Sequence, residues 1–193
     1  MKDIWRMVAL AALLSAVGCI TVDQQRVTGM PYPDLLKLAS IYIQEGNNPN
    51  AEMVLEDAVK SEPDRPEAYA MLGDIFYSKD DLPEAALYYL KALERNGEDT
   101  VVLNNLAWVE MGQENYSSAL AYIERAVEMA PQPLYPYLDT RARIFRAMGD
   151  LDKALSSARI ALSLTPEHEV EMRADLIKLI RSIENGVEED VLY

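Results

Sequence analysis

The chain has 193 residues, half of them apolar, and carries a net charge of −14 at pH 7. A charge of this sign argues against a nucleic-acid partner, because contacts with phosphates need lysine and arginine. With one cysteine and one histidine, the sequence offers neither an internal disulfide nor a histidine-rich metal site.

The N-terminal segment has the pattern of a secretory signal. Lys2 and Arg6 precede Met7–Val17, eleven residues that are all apolar except Ser15. A membrane-spanning helix needs about 20 apolar residues, so this run is too short to cross a bilayer. A short apolar run after basic residues is typical of the core of a signal peptide. We therefore expect residues 1–18 to be a signal peptide.

The residues that close this segment, Ala16 to Cys19, resemble the lipobox of bacterial lipoprotein signal peptides, although that family prefers leucine at the position of Ala16. The resemblance implies cleavage before Cys19 and lipidation of its sulfur. Ile20 follows the cysteine where some lipoproteins have aspartate, which by resemblance to enterobacterial sorting rules implies an outer-membrane anchor facing the periplasm. Two alternatives stay open: an ordinary signal with a cysteine near the cut, and an uncleaved N-terminal anchor.

Residues 19–31 are expected to form the lipidated N-terminus and a tether. The segment is polar, lacks a helical period and contains Gly29 and Pro31. The twelve residues from Ile20 to Pro31, when extended, reach at most about 40 Å. The part of the chain that follows would then lie close to the membrane but not in it.

A 34-residue unit runs from Pro66 to Asp99, and the chain contains related copies of it. Numbered from Pro66, it has large apolar side chains at places 4, 7, 11 and 24 and small ones at places 8, 20 and 27: Tyr69, Leu72, Phe76 and Tyr89, and Gly73, Ala85 and Ala92. Small residues let two helices approach closely, and large ones fill the space between them. One such hairpin cannot bury its apolar face alone, so copies must stack.

The other copies span residues 32–65, 100–133 and 135–168, and the place-20 alanines are spaced 34, 34 and 35 residues apart: Ala51, Ala85, Ala119 and Ala154. Over residues 32–166 the chain resembles the tetratricopeptide repeat family. It departs from the pattern at Arg141, where place 7 is usually apolar, and at Glu110, where place 11 is usually aromatic. The resemblance implies an all-α, right-handed superhelical solenoid of four helix-turn-helix repeats with a capping helix.

Each repeat is predicted to give two helices, and no stretch alternates β-branched and polar residues as a strand would. The A helices are predicted over residues 33–45, 66–78, 100–112 and 135–148, and the B helices over 49–61, 82–95, 116–129 and 151–163. A capping helix is predicted over 167–185, because an apolar stripe there can cover the last open face. Residues 186–193 are expected to form a flexible acidic tail, either a solvated end or an acidic interaction motif.

No group of residues indicates catalysis. The sequence has no phosphate-binding glycine loop and no paired nucleophile, and His168 is its single histidine. We therefore expect a protein that is not an enzyme, with no cofactor and no metal site.

The function that the resemblance implies is the binding of a protein segment. In tetratricopeptide repeats the A helices line a concave groove through places 2, 5, 9, 12 and 13. The corresponding groove residues here, with one place-6 neighbour and one residue of the cap, are Asp74, Tyr77, Asn104, Asn105, Trp108, Met111, Asp139, Arg143, Arg146 and Arg173. The alternative for Trp108 is packing between neighbouring A helices.

The first two repeats would add Leu36, Ser40, Ile43 and Ala70 to this groove. Chaperone-binding members of the family carry lysine and asparagine at places 5 and 9 of their first repeat. Leu36 and Ser40 stand at those places here, which excludes that role.

Arg143, Arg146 and Arg173 predict a basic end of the groove in an otherwise acidic chain. Guanidinium groups bind carboxylates through paired hydrogen bonds. This end would therefore receive an acidic side chain or a C-terminal carboxylate of the partner. The alternative is local pairing, since Asp139 and Asp150 each lie four residues from one of the arginines.

These features together predict a lipid-anchored adaptor that binds a protein segment and supports the assembly or localisation of a bacterial envelope complex. Type IV pilus assembly lipoproteins are similar in plan, with a lipobox followed by tetratricopeptide repeats, but have more repeats. The alternative is a structural protein that forms a homo-oligomer through the repeat ends or the convex face, with the groove unused.

Replacing Cys19 with serine tests the anchor. The Cys19→Ser variant should be unprocessed or soluble, because the acyl chains have no other attachment point. Membrane fractionation combined with a measurement of mass checks this. A variant that is processed and membrane-bound like the wild type would contradict the lipoprotein interpretation.

Overall fold

The computed structural model describes residues 27, 29–130, 132 and 134–186. In this part of the chain every regular element is a helix: α1 Tyr32–Gln44, α2 Asn48–Ser61, α3 Pro66–Ser78, α4 Leu82–Arg95, α5 Thr100–Gly112, α6 Tyr116–Met129, α7 Tyr135–Ala147, α8 Leu151–Leu164 and α9 Val170–Asn185. The chain divides between Pro63 and Asp64 into two compact units, the first containing α1 and α2 and the second α3 to α9. The predicted all-α fold of helix hairpins is confirmed.

Most helix bounds agree with the sequence prediction to within one residue. The last helix differs, because it begins at Val170 and not at Glu167. Pro166 is followed by a turn, which the backbone bond from Glu169 to the Pro166 carbonyl closes at 3.1 Å. The predicted signal peptide, Cys19, most of the tether and the acidic tail from residue 187 onward lie outside the described residues.

The turn inside each hairpin is built in the same way. One residue of each turn has a left-handed backbone, with φ of 71°, 61°, 62° and 79° at Gly46, Asp80, Glu114 and Gly149. In three of the hairpins the side chain of the next residue accepts a hydrogen bond from a backbone N–H of the B helix: Asn47, Asp81 and Asp150. Such caps satisfy a donor that the first helical turn leaves without a partner.

Small residues set the distance between the two helices of a hairpin. The place-20 alanines, Ala51, Ala85, Ala119 and Ala154, have no exposed surface. Gly73 of α3 lies against the ring of Tyr89 in α4, where an added β-carbon would be 2.6 Å from two ring carbons. Any side chain at this position would therefore force the hairpin apart.

Three hairpins and α9 pack in chain order within the second unit. One apolar cluster joins α5 and α6 to Ile144 of α7. Another joins α7 and α8 to Leu176 and Leu179 of α9, so the last helix covers the final hairpin. At place 7 of the last hairpin, Arg141 Nε donates to the Ser157 hydroxyl of α8 at 3.2 Å, so a polar contact replaces the usual apolar one.

Overpacking the hairpin contact at Ala85 should destabilise the second unit. Ala85 is completely buried, so Ala85→Leu is expected to cost about 2 kcal/mol of unfolding free energy. Chemical denaturation followed by circular dichroism measures this cost. The matched control is Ala121→Leu in α6, where the alanine is exposed. Equal stabilities of the two variants would contradict the assigned register.

Candidate protein-binding groove

A cavity of about 600 Å³ lies in the second unit, where α3 and α5 end. It is lined by one residue of the α3–α4 turn and by residues of three helices: Tyr77, Ser78, Asp80, Leu82, Trp108 and Gly112. Gly112 allows the start of α4 to pack against the end of α5, because a β-carbon there would lie 2.9 Å from Leu82 Cδ1. The cavity thus sits at a close contact between consecutive repeats.

Two predicted groove residues, Tyr77 and Trp108, meet at this cavity. Tyr77 keeps 37% of its surface exposed. Trp108 lines the cavity and also packs against the buried cluster of α5 and α6. Trp108 therefore contacts the cavity and the core at the same time.

Met111 was predicted to face the groove, and the structure corrects this. Met111 is only 2% exposed. It belongs to the cluster that contains Leu103 and Ala107, eight and four residues earlier on the same stripe of α5, and Ile123 of α6. This stripe packs against α6, so Met111 is a core residue.

Asp74 and Asn105 come together in a hydrogen-bond network that joins three helices. The Tyr89 hydroxyl of α4 donates to Asp74 Oδ1 of α3 at 2.7 Å, and Asn105 Nδ2 of α5 donates to the same oxygen at 3.1 Å. Removal from water raises the pKa of the Asp74 carboxyl, and the two hydrogen bonds oppose that rise. Burial is the largest cause of a raised pKa of Tyr89, and the nearby charge of Asp74 raises this pKa further. The phenol therefore stays protonated and remains a hydrogen-bond donor.

Asn104 makes the corresponding link between α5 and α7. Its Oδ1 accepts a hydrogen bond from the Thr140 hydroxyl at 2.8 Å. Near the start of these helices, the hydroxyls of Thr100 and Tyr137 lie 3.1 Å apart. Polar side chains on consecutive A helices therefore fix one helix against the next.

Asp139 and Arg143 form an ion pair within α7. Arg143 Nε lies 3.1 and 3.0 Å from the two carboxylate oxygens of Asp139, which is only 7% exposed. Burial raises the pKa of Asp139, and the charge of Arg143 and its hydrogen bond oppose that rise. The guanidinium carbon of Arg143 also lies 5.8 Å from the centre of the Trp108 ring. The charge of Arg143 is thus already offset inside the protein.

Arg173 was predicted to face the same basic end, but its contacts are with the preceding helix. Its Nη1 donates to the carbonyls of Leu162 and Thr165 at 3.2 and 2.6 Å. A cation at a helix C-terminus is favourable because the last carbonyls carry partial negative charge. Asp150, offered as a local partner for Arg146, caps α8 and lies 2.7 Å from Lys153 Nζ. Arg146 is partly buried on α7.

Sequence reasoning missed four residues of the cavity, Ser78, Asp80, Leu82 and Gly112. Asp80 and Asp81 follow one another in the turn, and it is Asp81 that caps α4, with its side chain 3.3 Å from the backbone nitrogen of Glu84. The place-15 position of Asp80 in the repeat was a signal for its left-handed backbone. Its position at the cavity follows only from the way α5 packs beside the turn.

The remaining candidates lie in the first unit or make no unusual contact. Leu36, Ser40 and Ile43 are partly buried in α1, where the Ser40 hydroxyl donates to the Leu36 carbonyl at 2.9 Å. Ala70 is partly buried in α3. In the described ranges, three or more histidine, cysteine, aspartate or glutamate side chains nowhere come together as a metal site would require. None of the described helices combines the length and apolar character needed to cross a membrane.

Removing the guanidinium of Arg143 should destabilise the protein in a pH-dependent way. Arg143→Met leaves the buried Asp139 carboxylate without its partner, at a cost of about 2 kcal/mol at pH 7. The pKa of Asp139 in the folded state, already raised, would rise further above its unfolded value of about 4. Folding then favours the protonated acid, so the cost should shrink as the pH falls from 7 toward 4.

The matched control for this prediction is Arg159→Met. Arg159 lies 2.6 Å from Glu184, but both side chains of that pair are largely exposed. Loss of such a pair is expected to cost less than about 1 kcal/mol. Urea denaturation at several pH values measures both variants, and equal, pH-independent losses would contradict the role assigned to Asp139.

Comparisons with known proteins agree with this architecture. Two models described as tetratricopeptide repeat match residues 36–100 and 101–130. No curated protein sequence matches the chain. The solved structure of Pseudomonas aeruginosa pilF has a TM-score of 0.67 and 21% identity, over 81% of this chain and 74% of that one. PilW, a type IV pilus biogenesis factor, has a TM-score of 0.66 and 18% identity, over 80% of this chain and 78% of that one. Yeast Tom70 has a TM-score of 0.71 and 18% identity, over 80% of this chain and 33% of that one.

At these identities the solved structures are similar to the chain in fold. The matched models cover α3, α4, α5 and α6 completely and most of the α1–α2 hairpin. Residues 36–130 therefore match tetratricopeptide repeats, which as a family serve as protein-interaction scaffolds, and α7 and α8 form a further hairpin of the same construction.

Proposed function

We propose that this protein is an adaptor, anchored by lipid at Cys19 to the outer membrane of a bacterium and facing the periplasm. Its repeats bind a segment of a partner protein and support the assembly or localisation of an envelope complex. The observation that carries the binding role is the cavity at which Tyr77 and Trp108 meet. Aromatic side chains in a partly enclosed site are typical anchors of protein interfaces.

The anchor and the location rest on the sequence between Lys2 and Cys19, with its basic start, short apolar run and lipobox-like end. The fold is compatible with a role in pilus assembly, since PilW, described as a type IV pilus biogenesis factor, has a similar structure. Because the identity is 18%, this similarity supports the fold on which the proposal depends, and the partner has to be identified by experiment.

A second candidate function, self-association, is favoured by apolar side chains on the B helices. Leu87 and Leu90 are exposed on α4, and Ile160 and Leu164 are exposed on α8. None of them lines the cavity. A homo-oligomer formed through these surfaces would bury them without using the groove.

Photocrosslinking from two positions separates these functions. A photoreactive amino acid at Tyr77 reports on the cavity, and the same amino acid at Leu90, exposed to 40%, reports on the surface of α4. Groove binding predicts that irradiation of native envelopes yields a discrete product with a different protein at position 77 and not at position 90. Tyr77→Ser should lower the yield of the same complex captured by a crosslinker placed elsewhere.

Self-association predicts a different result in the same experiment. Position 90 would then give a product of twice the mass of the chain, and light scattering would show an oligomer. That outcome, together with no product at position 77, would contradict the groove proposal.

A further inference from the structure

We propose that the cavity at the ends of α3 and α5 receives a lysine or arginine side chain of the bound segment. This inference rests on the proposed function and names the chemistry of its partner. It reverses the charge expected from the sequence, where arginines suggested an acidic partner. Three features of the cavity support it: the charge of its lining, the helix ends that meet there and its aromatic walls.

The charge of the lining is negative. Asp80 is the one charged residue among the six described residues that line the cavity, and it is exposed. Among the described residues, neither an ion pair nor a hydrogen bond engages its carboxylate. A cationic side chain could therefore pair with Asp80 without breaking an existing contact. The net charge of −14 adds a long-range field that attracts basic segments.

Two helix C-termini add to this negative potential. α3 ends at Ser78 and α5 ends at Gly112, and both residues line the cavity. The carbonyl ends of helices carry partial negative charge, which stabilises cations placed within the last turn. The protein uses the same effect at the end of α8, where Arg173 binds two backbone carbonyls.

The aromatic walls suit a cation as well. Tyrosine and tryptophan rings attract lysine and arginine through the negative face of the π system. This protein contains several such contacts, among them the Arg95 guanidinium 4.0 Å from the centre of the Tyr69 ring. Tyr77 and Trp108 could hold the stem of a long basic side chain, whose charged end would reach Asp80.

The arginine beside the Trp108 ring is already compensated. Arg143 lies 5.8 Å from the Trp108 ring, but Asp139 accepts from it through both carboxylate oxygens. Among the described residues, the lining of the cavity includes neither Arg143 nor Lys79, whose ammonium lies over the Phe76 ring, nor any other basic residue. An acidic ligand would thus meet Asp80 and two helix C-termini without a free cation among the lining residues.

The structure offers a matched pair of substitutions for a test. Asp80 and Glu114 occupy the same place in consecutive repeats and have the same left-handed backbone, with φ of 61° and 62°. Glu114 is not among the lining residues. Asp80→Asn and Glu114→Gln each remove one negative charge, and asparagine is well tolerated in the left-handed region. The two variants therefore change the net charge equally and differ in their distance from the cavity.

The probe is N-acetyl-arginine methylamide, with its uncharged isostere N-acetyl-citrulline methylamide as control ligand. The readout is the indole N–H resonance of Trp108 in the full chain carrying Trp5→Phe, which leaves a single tryptophan. We expect a saturable shift with the arginine probe and a much weaker one with citrulline. Asp80→Asn should weaken binding of the arginine probe about fivefold, while Glu114→Gln leaves it unchanged.

Three outcomes would overturn the inference: no saturable shift with the arginine probe, equal affinity for citrulline, or equal losses in the two variants. These outcomes are distinct from failure of the proposed function. If any of the three occurs while a partner is still crosslinked at position 77, groove binding stands and the proposal of a basic side chain in the cavity is wrong. Circular dichroism of both variants confirms that a lost shift does not reflect unfolding.

Discussion

The contact between Gly73 and Tyr89 sets the distance between α3 and α4. The tyrosine ring occupies the space that a side chain at Gly73 would need, since a β-carbon there would lie 2.6 Å from the ring. The same ring carries the hydroxyl that donates to Asp74, the neighbour of Gly73 in sequence. The side chain of Tyr89 therefore both closes the hairpin and holds the Asp74 carboxylate by a hydrogen bond.

In the turn that follows α3, two adjacent aspartates have different roles. Asp81 accepts a backbone hydrogen bond and starts α4. Asp80 adopts the left-handed conformation that reverses the chain, and it is one of the residues that line the cavity. Because Gly112 lets Leu82 approach α5 closely, the turn of one repeat is brought beside the A helix of the next. The cavity is thus a product of repeat stacking, and a single hairpin would not contain it.

The helices could be predicted almost to the residue, because prolines mark several helix starts and the positions of alanine and glycine recur with a fixed period. The groove was less accessible to sequence reasoning. Met111 was placed on the wrong face of α5. The repeat pattern predicts which stripe of a helix contacts its neighbour, but it does not predict how many of the adjacent residues the neighbouring helix also buries. The partners of Arg173 are backbone carbonyls of another helix, which no pattern of side chains reveals. Local pairing of Arg143 with Asp139 was visible as a four-residue spacing, but its burial was not.

The sharing of Asp74 Oδ1 by Tyr89 and Asn105 has a consequence for how the repeats open. One acceptor holds donors from two helices that belong to consecutive hairpins, so separating α3 from α4 breaks the bond from Tyr89, and separating α3 from α5 breaks the bond from Asn105. In a repeat array with independent hairpins, each hairpin would exchange its amide hydrogens at its own rate. We expect the hydrogen bonds at Asp74 to couple α3, α4 and α5, so that the slowly exchanging amides of these helices share one opening free energy. The central repeats would then behave as one foldon whose boundary falls inside a repeat.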